Sequence, residues 1–129
     1  MAGLIAIIDD DTSVRRSLKR LIASFGLRVE AFGSAEEFLQ SGHLHDAKCL
    51  VLDVRLPGMS GVECQQRLAG EGPRIPIVFI TAHGDEATRE QALEDGAVDF
   101  LFKPVDQNAL LNAIRSALGF QSELQCWSS

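Results

Sequence analysis

Three consecutive acids, Asp9-Asp10-Asp11, and a single aspartate, Asp53, each follow or close a short apolar run, and Thr81 and Lys103 do the same further along the chain. Carboxylates are oxygen ligands for a hard cation, a hydroxyl can donate to an anionic oxygen, and an ammonium neutralises one. If the fold gathers these groups, Asp9, Asp10 and Asp53 crowd together, and mutual repulsion raises some of their pKa values unless a cation is present. Magnesium is the natural cation, because it prefers oxygen ligands and keeps several waters. A carboxylate that attacks phosphorus must be ionised, yet it must not repel the incoming phosphoryl oxygens. The metal and the Lys103 ammonium would neutralise that charge, and Thr81 would hydrogen-bond one phosphoryl oxygen. Asp53 would then become an aspartyl phosphate.

Each group also has a plainer use. Asp53 could cap the segment that follows it. Asp9-Asp10-Asp11 could cap the next helix and suit its dipole, with Asp11 better placed as a cap than as a ligand. Thr81 could be an ordinary strand-end cap and Lys103 a solvated lysine. What decides is whether the secondary structure brings the groups to one place.

Five apolar runs alternate with helical patterns: Leu4 to Ile8, Arg28 to Phe32, Cys49 to Leu52, Ile75 to Ile80 and Val98 to Phe102. Between the first two, Val14, Leu18, Leu21, Ile22 and Phe25 recur at helical spacing, with Asp11 or Thr12 as cap and Gly26 as stop. Ser34 opens a second helix, with Glu37 three residues on as a capping box. Pro57, Gly58 and Gly61 mark a loop before a helix from about Val62 to Ala69. Asp85 to Glu94 reads as a polar, weakly amphipathic, solvent-facing helix. Leu110, Ala113, Ile114, Ala117 and Leu118 form the last helix, which Gly119 ends.

This is a (βα)5 α/β chain. Continuous β-branched runs between helices indicate a parallel sheet covered on both faces, and right-handed crossovers make it doubly wound. In such sheets ligands bind outside the carboxyl ends of the strands, at a topological switch point. Strand one delivers Asp9 to Asp11, strand three Asp53, strand four Thr81 and strand five Lys103; strand two delivers only Gly33 and Ser34. With the flavodoxin-like order 2-1-3-4-5, strand two is an edge and the crevice lies between strands one and three. Pro104 biases Lys103 toward an extended backbone; a cis Lys103-Pro104 bond stays open.

Composition narrows the function classes. The 129 residues suit one domain, with 46% hydrophobic and 23% charged residues. A net charge of −6 argues against binding nucleic acid through a basic surface. Met1 to Ile8 shows no signal peptide, and no apolar run approaches the ~20 residues that span a bilayer. Cys49, Cys64 and Cys126 form neither a disulfide framework nor a zinc pattern, so a reducing cytoplasm is the simplest setting. His43 and His45 lie in a polar loop.

At these residues the chain resembles the receiver domain of bacterial two-component response regulators. The matching marks are Asp9-Asp10 after strand one, Asp53 in Leu-Asp-Val-Arg-Leu-Pro-Gly-Met-Ser-Gly, Thr81-Ala82 after strand four, Phe100, and Lys103-Pro104, over about Leu4 to Leu118. The resemblance implies that Asp53 is a phosphoacceptor charged by a sensor histidine kinase or a histidine phosphotransfer protein. It implies that Asp10, Asp53 and the Arg55 backbone carbonyl bind Mg2+ directly, and that Asp9 does so partly through water. Thr81, Ala82 and Lys103 would hold the phosphoryl group. Thr81 and Phe100 would be the switch pair, changing the face made by helix four, strand five and helix five, although a fixed core ring is the rival reading of Phe100. Arg55 and His83 would tune how fast water removes the phosphoryl group. Homodimer formation on phosphorylation is a further family expectation. The wording around Asp53 and Gly96-Ala97-Val98-Asp99-Phe100 is nearest to regulators of the nitrogen-fixation and nitrate-response type, which carry a helix-turn-helix output domain.

Residues 1–119 are therefore expected to be the receiver, and 120–129, with Cys126 and Trp127, a tail or the start of a linker too short to form an output domain. On this reading the chain is a switch rather than an enzyme, with no membrane contact and no direct nucleic-acid binding. It either controls transcription through a domain outside the chain or stands alone and controls a protein partner. An aspartate-nucleophile phosphatase is the enzyme rival, but the chain has no cap domain for a substrate and its best nucleophile follows strand three. A flavodoxin-like cofactor carrier would need a hydroxyl- and glycine-rich loop where the three aspartates stand.

Overall fold

The computed structural model describes residues 3–82 and 86–119. The order is β1 (Leu4–Ile8), α1 (Thr12–Ser24), β2 (Arg28–Phe32), α2 (Ala35–Gln40), β3 (Ala47–Asp53), α3 (Gly61–Glu71), β4 (Ile77–Thr81), α4 (Glu86–Glu94), β5 (Asp99–Phe102) and α5 (Gln107–Leu118). The strands form one parallel sheet in the order β2-β1-β3-β4-β5, as the sequence predicts. His83, Asp85, Cys126 and Trp127 lie outside the described residues.

Side chains alternate across a strand, so each central strand feeds two cores. Ile5, Ile7, Val51, Val78 and Ile80 pack with Leu18 and Ile22 of α1 and Leu110 and Ile114 of α5. Ala6, Ile8, Leu50, Leu52 and Phe79 pack on the opposite face with Phe38 of α2, Cys64 and Leu68 of α3, and Ala92 of α4. β1 and β4 are buried along their whole length, which is why their sequences read as unbroken apolar runs. β2, at the edge, alternates exposed and half-buried positions before ending in buried Phe32. Of α4, only Ala92 is buried, in keeping with its polar sequence.

Several boundaries differ from the pattern. β3 starts at Ala47 rather than Cys49, and Asp53 is its last residue. β4 starts at Ile77, because Pro76 has no N–H to give a ladder, although its carbonyl still accepts from the Leu50 N–H at 2.9 Å. β5 starts at Asp99 rather than Val98. At α2, Ser34 Oγ accepts from the Glu37 N–H, but the Glu37 carboxylate accepts from Gly33 rather than from Ser34, so the expected box is displaced by one residue. A complete capping box occurs instead at α3, where Ser60 Oγ accepts from the Glu63 N–H at 3.1 Å and Glu63 Oε1 from the Ser60 N–H at 2.8 Å. His43, in the polar loop after α2, is half-buried beside the Phe32 ring, with Nδ1 3.4 Å from Asp46 Oδ2.

That box makes Gly61 the first residue of α3 rather than part of the preceding loop. Its N–H donates to Val54 O at 2.9 Å, and a Cβ here would run into the Asp53 carbonyl and lie 3.0 Å from Val54 Cα. Both obstacles are backbone and cannot rotate away. Gly61→Ala should therefore cost about 3 kcal/mol, the upper range for overpacking, read as a lower midpoint in urea unfolding. A midpoint equal to that of the parent would show that the loop yields freely.

Candidate functional site

The sheet register brings the carboxyl ends of β1 and β3 side by side, with Ile8 paired to Leu52. The next residue on each strand is a buried aspartate: Asp9 is 0% exposed and Asp53 5%. From the far side of the sheet, Lys103 reaches across after β5. Its Nζ stands 2.7 Å from Asp9 Oδ2 and 3.2 Å from Asp53 Oδ2, with the lysine side chain 18% exposed. The Lys103 backbone N–H donates to Thr81 O at 2.8 Å, which ties the ends of β4 and β5 together. Thr81 is fully buried, and the Lys103-Pro104 bond is cis.

The remaining carboxylate oxygens are oriented by local backbone. Asp9 Oδ1 accepts from the Asp11 N–H at 2.9 Å, and Asp53 Oδ1 from the Arg55 N–H at 3.1 Å. Asp11 is the cap of α1, accepting from the Ser13 and Val14 N–H groups, and does not join the cluster; its plainer reading holds. Asp10 is exposed, yet it offers an oxygen that lies, with one each from Asp9 and Asp53, in a group spanning no more than 4.8 Å.

Burial, and after it the Asp9 charge, push the Asp53 pKa above the usual carboxylate range; the Arg55 N–H and the Lys103 ammonium offset only part of this. Burial pulls Lys103 downward, but its contact with Asp9 and the charges of Asp53 and Asp9 outweigh burial and leave its pKa raised. Buried Asp9 Oδ2 makes no hydrogen bond of good angle, despite the ammonium beside it. An all-oxygen donor set carrying three carboxylates and an incompletely satisfied buried oxygen fits a hard divalent cation such as Mg2+.

The sequence-predicted residues fall at different distances from this centre. Asp9, Asp10, Asp53 and Lys103 are gathered, and Arg55 touches the cluster through its backbone N–H while its side chain is exposed. Thr81 closes the neighbouring strand, and Ala82 follows it on the surface. Phe100 is buried, its ring centroid 6.0 Å from that of Phe79 and 5.6 Å from that of Phe102, which is 48% exposed. His83 lies outside the described residues.

Two contacts at the site have no counterpart in the sequence reading. Arg15 of α1 donates from Nη1 to Asp9 O at 2.8 Å and from Nη2 to Thr12 Oγ1 at 3.2 Å. Glu36 of α2 accepts from the Met59 N–H at 2.8 Å. Neither residue lies in a periodic pattern that would single it out. Two cavities, about 540 and 440 Å3, lie at the opposite end of the sheet around Pro73 to Pro76 and do not touch the acidic cluster.

Comparison with known proteins agrees with this geometry. The family described as "Response regulator receiver domain" matches residues 5–115. Nodulation protein W of Bradyrhizobium diazoefficiens is 51% identical over 115 residues, covering 89% of this chain and 51% of that protein. Response regulator protein TodT of Pseudomonas putida is 47% identical over 117 residues, covering 91% of this chain and 52% of that protein. The chain thus spans about half the length of these relatives. Among solved structures, FixJ-N is 36% identical with a TM-score of 0.81, covering 92% of this chain and 95% of that one. Response regulator StyR is 43% identical with a TM-score of 0.79, covering 98% of this chain and 65% of that one. In sequence and fold, the chain belongs to the receiver-domain family of two-component response regulators, and its relatives include transcriptional regulators.

Proposed function

We propose that the chain is a phosphoacceptor switch in which Asp53 takes the phosphoryl group of a phosphohistidine on a sensor histidine kinase or a histidine phosphotransfer protein. An Asp53 carboxylate oxygen forms the new O–P bond as the P–N bond breaks, and the electron pair stays on the imidazole nitrogen, which takes up a proton. The observation that carries this reading is the pair of buried carboxylates, Asp9 and Asp53, with one ammonium 2.7 and 3.2 Å from them. Asp9, Asp10, Asp53 and the Arg55 carbonyl would hold Mg2+, which supplies charge neutralisation for the transferring group. Lys103 supplies the second neutralising charge, and Thr81 and Ala82 border the position of the phosphoryl oxygens.

Thr81 and Phe100 make the switch on this reading, and the face of α4, β5 and α5 carries the signal. The 48% exposure of Phe102 puts an aromatic ring on that face for a partner, including a second phosphorylated copy. Residues 1–119 form the receiver and 120–129 a tail or the start of a linker toward an output domain that controls transcription; relatives about twice as long include proteins named as transcriptional regulatory proteins. A cytoplasmic site of action is part of this reading, since the kinase partner phosphorylates within the cytoplasm; among the described residues no helix is long and apolar enough to cross a membrane.

The test is incubation with acetyl phosphate, with and without Mg2+, followed by intact-mass measurement. A Mg2+-dependent adduct of one phosphoryl group supports the reading, and its absence after prolonged incubation overturns it. The same assay follows the lifetime of the adduct. The exposed, long side chain of Arg55 and the neighbouring sequence position of His83 suit shielding of the acyl phosphate from water. An Arg55→Ala/His83→Ala pair should lose the phosphoryl group several-fold faster; equal lifetimes would remove both residues from that role.

A further inference from the structure

The loop between β3 and α3 carries Arg55, whose backbone carbonyl is assigned to the metal above, and it must hold its shape without secondary structure. Its two ends are tied locally, by the Arg55 N–H to Asp53 Oδ1 at 3.1 Å and by the Ser60–Glu63 box. Its middle is tied from another element. Glu36 Oε2, on the first turn of α2, accepts the Met59 N–H at 2.8 Å, a bond across 23 residues of sequence. Gly58 makes room for it: a Cβ there would stand 2.6 Å from the same oxygen, and Gly58 adopts a φ of 73°. The Met59 N–H, and after it Glu36's own N–H, hold the Glu36 carboxyl below the usual carboxylate range. The same charge, second to burial, helps push the Cys64 thiol of α3 up to about 11.

We propose that Glu36 is a positioning residue for the metal site: its carboxylate pins Met59 and so pre-shapes the loop that presents Arg55. The inference rests on the Asp53 and Mg2+ reading above and deepens it. Glu36 does not belong to the acidic cluster and touches neither the metal nor the phosphoryl group. It acts through order. A loop already fixed in shape loses little conformational freedom when the cation binds, whereas a loosened loop must be ordered at that moment. Supports of this kind outside the ligand set change metal affinity by about 10–100-fold when removed. A hydrogen bond to an ionised acceptor is also stronger than a neutral one, which makes the carboxylate a better pin than an uncharged side chain.

Calorimetric titration of the full chain with Mg2+ alone tests this on the parent, Glu36→Ala and Glu36→Gln. Glutamine loses the charge but keeps an acceptor oxygen at the same reach. The expected result is about tenfold weaker Mg2+ binding in Glu36→Ala, recovery of most of that loss in Glu36→Gln, and an unchanged maximal rate of phosphoryl-adduct formation at saturating Mg2+. Equal weakening in both variants would mean that Glu36 acts only as a distant negative charge, and would overturn the proposal. A lower unfolding midpoint in Glu36→Ala with parental Mg2+ affinity would also overturn it, leaving Glu36 a merely structural tie. If the parent itself binds no Mg2+, the reading of the site falls first and this inference with it.

Discussion

Asp53→Asn is expected to abolish the Mg2+-dependent phosphoryl adduct and, in the absence of metal, to make the domain more stable. The first effect follows from chemistry: the amide has no ionised oxygen to attack phosphorus. The second follows from the direction of the Asp53 pKa, which burial and the Asp9 charge raise above its ordinary 3.8. A carboxyl with a raised folded-state pKa holds its proton more tightly in the fold than in the unfolded chain. Its contribution to stability is therefore fully present below the unfolded value and is lost as the pH rises through the folded one. At neutral pH the parent carries that penalty and the asparagine variant does not. The gain should be read as a Tm above that of the parent at neutral pH. It should vanish below the ordinary value of 3.8, where Asp53 is protonated in both states, and Mg2+ should narrow it at pH 7 by stabilising the parent preferentially. An asparagine variant less stable than its parent at neutral pH without metal would mean that Lys103 already compensates Asp53 in full.

The gathering of this site was legible because a parallel sheet aligns all its strand ends at one edge. Once Leu4 to Ile8 and the run ending at Asp53 read as neighbouring strands, Asp9 and Asp53 had to meet, and Lys103 and Thr81 came with strands on the same side of the switch point. Boundaries were less legible. The glycine of Gly61 reads as a breaker in isolation, yet Ser60 and Glu63 form a box that starts the helix one residue earlier. Glu37 stands at the spacing of a box partner, but its carboxylate turns to Gly33 instead. Least legible were the supports. Arg15 to the Asp9 carbonyl and Glu36 to the Met59 N–H join a side chain to main chain on a different element, and main-chain partners leave no mark in residue type. Chemistry is written in the residues that carry it, whereas positioning is carried by contacts that only the packed fold defines.

Lys103→Met separates two roles that the geometry superimposes. The ammonium sits against Asp9 Oδ2 at 2.7 Å and Asp53 Oδ2 at 3.2 Å, on two of the three carboxylates that would hold a divalent cation. Methionine keeps an unbranched apolar stem of similar reach and removes the charge. Two buried carboxylates are then left facing each other, which should cost about 2 kcal/mol at neutral pH; this is below the range for a fully buried pair because Lys103 is partly solvated. The sign of the pH dependence is again that of a raised carboxyl pKa: the deficit should shrink on acidification, as Asp53 takes up a proton, and Mg2+ should relieve it at pH 7. With its competitor gone, Mg2+ should bind more tightly than to the parent. Phosphoryl transfer should nevertheless slow by about a hundredfold, because the charge aimed at the transferring oxygens has been lost. Tighter metal with slower transfer is a combination that neither damage to the fold nor loss of the metal site would produce. A variant with parental metal affinity and parental transfer rate would instead make Lys103 a bystander whose charge water replaces at no cost.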